Sequence, residues 1–277
     1  MTSTQLNSGI LYIVATPIGN LEDISYRAVR ILNEVDLVAC EDTRHTRKLL
    51  DHFGIGKPVV SYHEHNEQAR SDELLASLQE GKNVALVSDA GTPLIADPGY
   101  RLVAKARDAG IRVVPLPGPS AVVAALSASG LPTDSFLFHG FLPAKAGQRR
   151  KALEELASAG MSLVFYEAPH RILDTLRDIH AVLGACPIVL ARELTKLHEE
   201  FLRGTAAELL EILRTRGAAR GEFTLIVGKS VAVPEEAGTI EEAVQELIRN
   251  GVPRMDALKQ VARRRGLSKR EVYRRVQ

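Results

Sequence analysis

Cysteine is scarce in this chain, and its two cysteines form no pattern. Cys40 and Cys186 each lie in or beside an apolar run, without the spacing of a metal site. We therefore expect reduced thiols in a cytosolic protein and no metal site. Membrane signals are missing too, since no apolar run approaches the ~20 residues of a membrane-spanning helix. Residues 1–9 lack the basic and apolar regions of a secretory signal, so a soluble cytoplasmic protein is expected.

Two common phosphate-binding motifs are also missing. The loop from Thr16 to Leu21 follows an apolar run but contains only Gly19, whereas the dinucleotide fingerprint needs three spaced glycines. The chain has no Gly-Lys-Ser or Gly-Lys-Thr phosphate loop, which argues against an NTPase. With 277 residues, 45% of them hydrophobic and 25% charged, the chain can build two domains and a small appendage.

Strand-like and helix-like stretches alternate over residues 10–116. Continuous Val, Ile and Leu in the strand-like runs, with helices between them, predict a mainly parallel sheet that is covered on both faces. We therefore place an α/β domain at residues 1–116. The predicted strands are 10–15, 36–40, 58–62, 83–87 and 111–116, and Ser25, Thr43 and Asn66 are predicted helix N-caps.

The most informative stretch of this domain runs from Val87 to Gly99. It delivers a buried strand into a polar turn, and Asp97 and Pro98 then have the types expected for an N-cap and a first helical residue. Ligands bind outside the carboxyl ends of strands in parallel α/β sheets, where such a turn lies. We favour a ligand-binding turn over an ordinary capped connection, because Ser88, Asp89 and Thr92 exceed what one cap requires.

A break at Pro115 to Ser120 ends the first alternation, because three prolines and a glycine interrupt it. Strand signals resume at 135–140, 162–167, 187–192, 200–204 and 222–227 with less even connections, which predicts a second α/β domain with a mixed sheet at residues 117–230. Polar clusters again follow the strands, so a cleft between the domains is expected to hold a small ligand.

The last segment, residues 239–277, is predicted to be a small basic module of three helices with a helix-turn-helix-like pattern. From Arg249 onward, ten basic residues face only Asp256 and Glu271, which suggests a phosphate-binding surface. The alternative is a packing module with a solvated basic face. We expect Arg263, Arg264, Lys269 and Arg270 to contact RNA.

With these turns identified, the sequence resembles the tetrapyrrole methylase superfamily, and within it the branch that methylates a cytidine 2′-hydroxyl of 16S ribosomal RNA. The first loop, Ala15-Thr16-Pro17-Ile18-Gly19-Asn20, differs from the Gly-x-Gly-Pro-Gly-Asp pattern of the tetrapyrrole enzymes and favours the RNA branch. The matching stretches, in order, are Leu11 to Leu21, Cys40 to Arg44, Ser88 to Pro93, Pro117 to Ala121, Phe165 to Arg171 and Ala191 to Lys196.

The resemblance implies a two-domain tetrapyrrole-methylase-like α/β architecture, a homodimer, and S-adenosylmethionine held in the cleft. It places Pro17, Ser88, Asp89, Gly91, Thr92 and Ala96 around the methionine and sulfonium part of the cofactor. It places Ser120, Ala121, Phe141, Ala168, Pro169 and Thr224 on the adenosine side. The implied substrate is 16S ribosomal RNA or the small ribosomal subunit.

Methylation of a ribose hydroxyl favours a nearby base, because the protonated hydroxyl is a poor nucleophile. Asp42, His45 and Glu193 are the candidates, with Arg44 and Arg171 as holders of phosphate or alkoxide. The segment Glu41 to Lys48 that carries Asp42 and His45 is equally well explained as a capped helix whose charges complement its dipole. Two other functions stay open: a small-molecule methylase of the tetrapyrrole type, and a non-catalytic RNA-binding assembly factor.

Overall fold

A computed structural model describes residues 8–216, 220–229, 239–264, 267 and 269–276. The chain divides into two compact units, Met1–Lys229 and Ser230–Gln277. The first unit contains two five-stranded sheets, and the boundary predicted at residue 117 falls between them.

The first sheet is entirely parallel, with strand order β3-β2-β4-β1-β5. Helices follow its first four strands, so the alternation predicted from the sequence is confirmed. The strands are β1 (Ile10–Val14), β2 (Leu37–Cys40), β3 (Val59–Ser61), β4 (Val84–Val87) and β5 (Arg112–Leu116), and the helices are α1 (Tyr26–Glu34), α2 (Thr43–His52), α3 (Glu67–Gln79) and α4 (Tyr100–Asp108).

Both faces of this sheet are buried, which explains why its strands are continuously apolar. Ala85 and Val87 of β4 pack with α1 and α2 on one face, while Val84 and Leu86 pack with α3 and α4 on the other. All four residues of β4 are buried, as the central strand of a covered parallel sheet requires.

Two predicted helix starts are wrong. Helix α4 begins at Tyr100, not at Asp97, and its N-cap is Gly99 with φ +142°. The carboxylate of Glu67, on α3, accepts from the backbone amides of Gly99 and Arg101 at 3.2 and 3.3 Å. A side chain distant in sequence therefore replaces the local cap, which leaves Asp97 for another role. At α2 the N-cap is Asp42, and Thr43 is the first helical residue.

The second sheet is mixed, as predicted, with strand order β6-β7-β10-β8-β9. Strands β6 and β7 are parallel, and the remaining pairs are antiparallel. Helix α5 covers one face, and α6, α7 and α8 cover the other. The strands are β6 (Phe136–Phe141), β7 (Ser162–Glu167), β8 (Ile188–Arg192), β9 (Glu200–Gly204) and β10 (Phe223–Val227), and the helices are α5 (Ala121–Ser129), α6 (Ala146–Ala157), α7 (Ile172–Leu183) and α8 (Ala206–Thr215).

The C-terminal unit has a small core of its own. Helices α9 (Ile240–Arg249), α10 (Arg254–Arg264) and α11 (Lys269–Arg275) match the three predicted helices. Val244, Leu258, Val261 and Val272 are completely buried among them. Tyr273 of α11 is 44% exposed.

Candidate functional site

One cavity of the first unit is bordered by residues of both sheets. Its volume is about 350 Å³, within the range of small-molecule sites. It lies beyond the carboxyl ends of β1, β4, β6, β7 and β8 and beside the start of β10. Ten of the twelve residues that we predicted to bind a cofactor line it: Asp89, Gly91, Thr92, Ala96, Ser120, Ala121, Phe141, Ala168, Pro169 and Thr224.

Of the other two residues, Ser88 supports the wall from behind. The buried Ser88 hydroxyl donates to the carbonyl of Gly91 at 3.2 Å, and the Thr16 hydroxyl donates to the carbonyl of Ser88 at 3.0 Å. Thr16 and Gly91 also exchange backbone hydrogen bonds of 2.9 and 3.0 Å. Gly91 adopts φ +84°, a conformation that favours glycine. The turn after β4 is thus fixed to the loop after β1, which also contains Pro17.

Two further loops are tied to the same turn. The Thr92 hydroxyl donates to the carbonyl of Pro119 at 3.2 Å, and the amide of Asp42 donates to Oδ1 of Asp89 at 3.1 Å. A Cβ atom on Gly118 would lie 2.8 Å from the Cβ of Ala15, so glycine is needed for these loops to approach. Four loops at the carboxyl edge of the first sheet therefore form one cross-linked wall.

The second sheet contributes aromatic and small apolar residues to the wall. A β-bulge separates Phe138 from Gly140, where φ is +77°, and Phe141 follows it. Bulges commonly redirect side chains beside functional sites. The Phe141 ring is 53% exposed and lies 5.7 Å from the ring of Tyr166. With Ala121, Ala168 and Ala191 nearby in the lining, this wall can accept a flat heteroaromatic ring.

Sequence reasoning missed Asp97 and Tyr166 as cavity residues. Burial raises the pKa of Asp97 to about 6; the neighbouring carboxylates of Glu41 and Asp89 add to the rise, and the nearby Ser88 hydroxyl opposes it. Burial, together with the Asp97 carboxylate, raises the pKa of Tyr166 to about 12. The sequence predicts Asp97 as a helix cap because Asp-Pro before an amphipathic stretch is the usual signal for one. Tyr166 carries no signal beyond its place in the motif at the end of β7.

None of the three candidate catalytic residues lines this cavity. Asp42 caps α2 and accepts from the amide and the guanidinium of Arg44, each at 2.8 Å. Hydrogen bonds from Arg44 hold the pKa of Asp42 well below its usual range. His45 lies on the exposed face of the same helix. For these two residues the structure shows a capping role and an exposed position, and their catalytic assignment stays a prediction.

Glu193, the third candidate, has several partners. Its Oε1 accepts from Nζ of Lys196 and from the amide of Glu222, both at 2.9 Å. Burial favours the neutral acid, but these hydrogen bonds outweigh it and lower the pKa of Glu193. Its backbone adopts φ +50°, and Thr195 adopts φ +65°. The strained loop packs tightly on the first half of the unit, because a Cβ on Gly19 would lie 2.4 Å from Cγ of Lys196. Glu193 remains a prediction as a catalytic group.

Of the predicted RNA contacts, Arg44 is exposed and Arg171 is largely buried. Nε of Arg171 lies 3.2 Å from Oε1 of the buried Glu167, and its guanidinium donates to the carbonyl of Leu142. Arg171 therefore joins the ends of β6 and β7. The side chains of Arg263, Arg264, Lys269 and Arg270 lie outside what the structure describes.

The described part of the chain contains neither a membrane-spanning helix nor a cluster of metal ligands. No helix there has the length and apolarity to cross a membrane. No cluster of three or more His, Cys, Asp or Glu side chains there is placed to hold a metal ion.

Comparison with known proteins defines the class. The sequence model of the family of tetrapyrrole (corrin/porphyrin) methylases matches residues 10–210, which make up most of the first unit. The chain belongs to this family. Two solved structures share its fold: diphthine synthase, with a TM-score of 0.63 and 17% identity over 79% of this chain and 90% of that one, and the cobalt precorrin-4 methyltransferase CbiF, with a TM-score of 0.59 and 18% identity over 79% and 94%.

Much closer relatives belong to one kind of protein within that family. The chain is 50% identical over 273 residues to ribosomal RNA small subunit methyltransferase I of Halalkalibacterium halodurans, covering 96% of this chain and 94% of that protein. It is also 50% identical over 273 residues to the protein of that name from Escherichia coli O157:H7, covering 98% and 96%. These matches extend beyond residue 210, where the family match ends.

Proposed function

We propose that this protein uses S-adenosylmethionine to methylate the ribose 2′-hydroxyl of a cytidine in 16S ribosomal RNA of the small subunit. The observation that carries the proposal is the 50% identity, over at least 96% of the chain, to small-subunit ribosomal RNA methyltransferases. The match to the tetrapyrrole methylase family ends at residue 210, whereas the identity to these ribosomal RNA methyltransferases covers nearly the whole chain.

The cavity residues fit the proposed cofactor in charge and shape. When bound, S-adenosylmethionine supplies a methyl group on a positively charged sulfur. Asp89 and Asp97 can oppose that charge, while Gly91 and Thr92 present a turn with backbone polar groups. Phe141 and the small residues Ala121 and Ala168 suit the adenine ring. The amides at the start of α5, beyond its N-cap Ser120, can bind polar atoms.

The chain's contribution to such a transfer is above all positioning. The loops after β1, β2, β4 and β5 are joined by hydrogen bonds, so the cavity wall is built before a ligand enters. Holding two reactants in line can supply up to ~7–11 kcal/mol of the barrier reduction in the best intramolecular cases. A fixed wall of this kind supports methyl transfer more directly than it supports a scaffold that only binds RNA.

The partners belong to the same proposal. We infer that the basic C-terminal unit contacts RNA phosphates, with Arg254, Arg274 and Arg275 exposed on it. We also infer a homodimer that acts in the cytoplasm. Support for a dimer comes from large apolar side chains that are unusually exposed, including Tyr26 at 98% and Leu197 at 93%. Light scattering on the purified protein tests the dimer.

The test of the proposed function is incubation with cofactor carrying a labelled methyl group. Three substrates are compared: small ribosomal subunits from cells that lack the gene, the naked 16S RNA of those cells, and a uroporphyrinogen. Label in subunits or in naked RNA supports the proposal and identifies the preferred form. Label in the tetrapyrrole alone, or in none of them, rejects it. Cofactor binding measured by calorimetry separates a methylase from an assembly factor.

A further inference from the structure

A buried ion pair lies behind the part of the cavity that is proposed to hold adenosine. Glu167 ends β7 and its side chain is 0% exposed, while the side chain of Arg171, the N-cap of α7, is 20% exposed. Nε of Arg171 lies 3.2 Å from Oε1 of Glu167. Removing two charges from water is costly, so a buried ion pair is weak evidence for a role in stability. The other contacts of these two side chains indicate what the pair does.

The carboxylate of Glu167 fixes the turn between β7 and α7. Its Oε1 accepts from the amide of Ala168 at 2.9 Å, and its Oε2 accepts from the hydroxyl of Thr175 at 2.5 Å. The carbonyl of Ala168 accepts from the amides of Arg171 and Ile172 at 3.0 and 3.1 Å. Both backbone polar groups of Ala168 are therefore engaged, which holds this cavity residue in one position.

The guanidinium of Arg171 holds the neighbouring connection, which follows β6. It donates to the carbonyl of Leu142, a buried residue directly after Phe141. Strands β6 and β7 are parallel neighbours, so their carboxyl ends lie at the same edge of the second sheet. The Arg171 side chain thus links the residue after Phe141 to the carboxylate that fixes Ala168. The spacing of these two cavity residues depends on one guanidinium.

We propose that Arg171 is a positioning residue for the cofactor, which sets the spacing of Phe141 and Ala168 and makes no contact with RNA. The inference rests on the placement of the adenine ring against these residues that is proposed above. The guanidinium is planar and its donors point in fixed directions, so one arginine can serve a carboxylate and a carbonyl at once. A wall that is held in place before binding spares the ligand the cost of ordering it. Loss of Arg171 should therefore weaken binding of the adenosine half of the cofactor.

The first arm of the test is calorimetry of the full chain with two ligands. S-adenosylmethionine is the whole cofactor, and methylthioadenosine contains its adenosine and sulfur without the amino-acid tail. We expect Arg171→Met to raise the dissociation constants of both ligands by the same factor, roughly 10- to 100-fold, because both must now order the adenine wall. Thermal unfolding is measured beside it, since this variant also leaves the Glu167 carboxylate buried without its cation.

A double variant separates positioning from stability. Glu167→Gln combined with Arg171→Met removes both members of the buried ion pair, so most of the melting temperature lost in Arg171→Met should return. The donor to the carbonyl of Leu142 is still missing, so the affinities should stay low. Arg149→Met is the matched control, because the buried Arg149 guanidinium also pairs with a buried carboxylate and donates to a backbone carbonyl, that of Ala144 at 3.0 Å, outside the cavity lining. It should lose stability and keep the parental affinities.

The second arm distinguishes positioning from the RNA contact that the sequence predicts for Arg171. Methylation of small ribosomal subunits is measured over a range of cofactor concentrations, and RNA binding is measured across a salt titration. With Arg171→Met, the loss should appear in the KM for cofactor far more than in kcat, and the salt slope of RNA binding should equal that of the parent. A phosphate contact would instead lower that slope by about 0.7–0.9.

The outcomes separate the inference from the function on which it rests. A parent that binds cofactor but methylates no RNA rejects the proposed function, and the calorimetric result still decides the role of Arg171. Parental affinities in Arg171→Met, affinities that return with stability in the double variant, a loss confined to kcat, or a lowered salt slope would each overturn the inference. An equal loss of affinity in Arg149→Met would also overturn it, because that loss would reflect stability alone.

Discussion

Replacement of Gly91 by alanine should weaken cofactor binding as well as the fold. Gly91 adopts φ +84° in the turn after β4, and a Cβ atom there would lie 3.4 Å from Cγ2 of Ile18. The left-handed conformation costs alanine about 1–2 kcal/mol. Exchange of backbone hydrogen bonds with Thr16 resists relaxation of the turn, so much of this strain should persist in the folded protein.

The strain at Gly91→Ala sets the size of both the loss of stability and the loss of cofactor affinity. A loss of about 1–2 kcal/mol lowers the melting temperature of a unit of this size by roughly 2–8 °C. Any part of the strain that the free protein relieves by shifting the turn must be restored on ligand binding, so the dissociation constant should rise by at most roughly 5- to 30-fold. Thermal unfolding gives the first quantity, and calorimetry with S-adenosylmethionine gives the second.

Gly54→Ala is the matched control for this change. Gly54 has φ +68°, and a Cβ atom there would meet nothing within 4 Å, so it imposes the same backbone cost without a site. We expect both variants to lose similar stability and only Gly91→Ala to lose affinity. Equal affinities for the two variants would refute the assignment of the turn as a cofactor wall.

Three other changes test separate parts of the structure. The pKa of Asp97 is raised from about 4 in the unfolded chain to about 6 in the folded protein, so the folded protein loses stability as the pH rises between these two values. Asp97→Asn removes this loss, so its melting temperature should exceed that of the parent at pH 8 and equal it at pH 4. Arg149→Ala removes one of the two guanidinium partners of the buried Asp178 carboxylate, at 2.7 Å, while Arg150 keeps the other at 2.6 Å, so it should cost about 1–3 kcal/mol in urea unfolding; no measurable cost would contradict this. Arg254→Gln, Arg274→Gln and Arg275→Gln together should lower the salt dependence of RNA binding by about 0.7–0.9 for each phosphate that the variant no longer neutralises, whereas Arg107→Gln in the first unit should not.

The fold was largely predictable because its local signals agree with one another. The apolar run Val84 to Val87 could only be buried on both faces, and the punctuated alternation around it required parallel neighbours. The second sheet has less even connections, and a mixed sheet was the matching expectation. The predicted bounds of the strands and helices differ from the observed ones by one to three residues, at element ends and where the cap lies one position away.

The position of the site was predictable from the sequence, but the partners of its charged residues were not. Strand ends located the loops that line the cavity, since carboxyl ends of parallel strands meet at one edge. Asp97 was missed because a contact distant in sequence, Glu67 with the amide of Gly99, supplies the cap that Asp-Pro usually signals. Arg171 and Glu193 look like functional residues in the sequence, yet the structure pairs them with Glu167 and Lys196, which only spatial contacts reveal.

Methylation of one ribose hydroxyl in small-subunit RNA is tested by locating the transferred methyl group. Small subunits from cells that lack the gene are labelled by the purified protein, and their RNA is digested with alkali and analysed by mass spectrometry. Alkaline cleavage needs a free 2′-hydroxyl, so we expect one labelled, alkali-resistant dinucleotide that begins with cytidine. Label on a base, label released with ordinary mononucleotides, or no label in 16S RNA would contradict it.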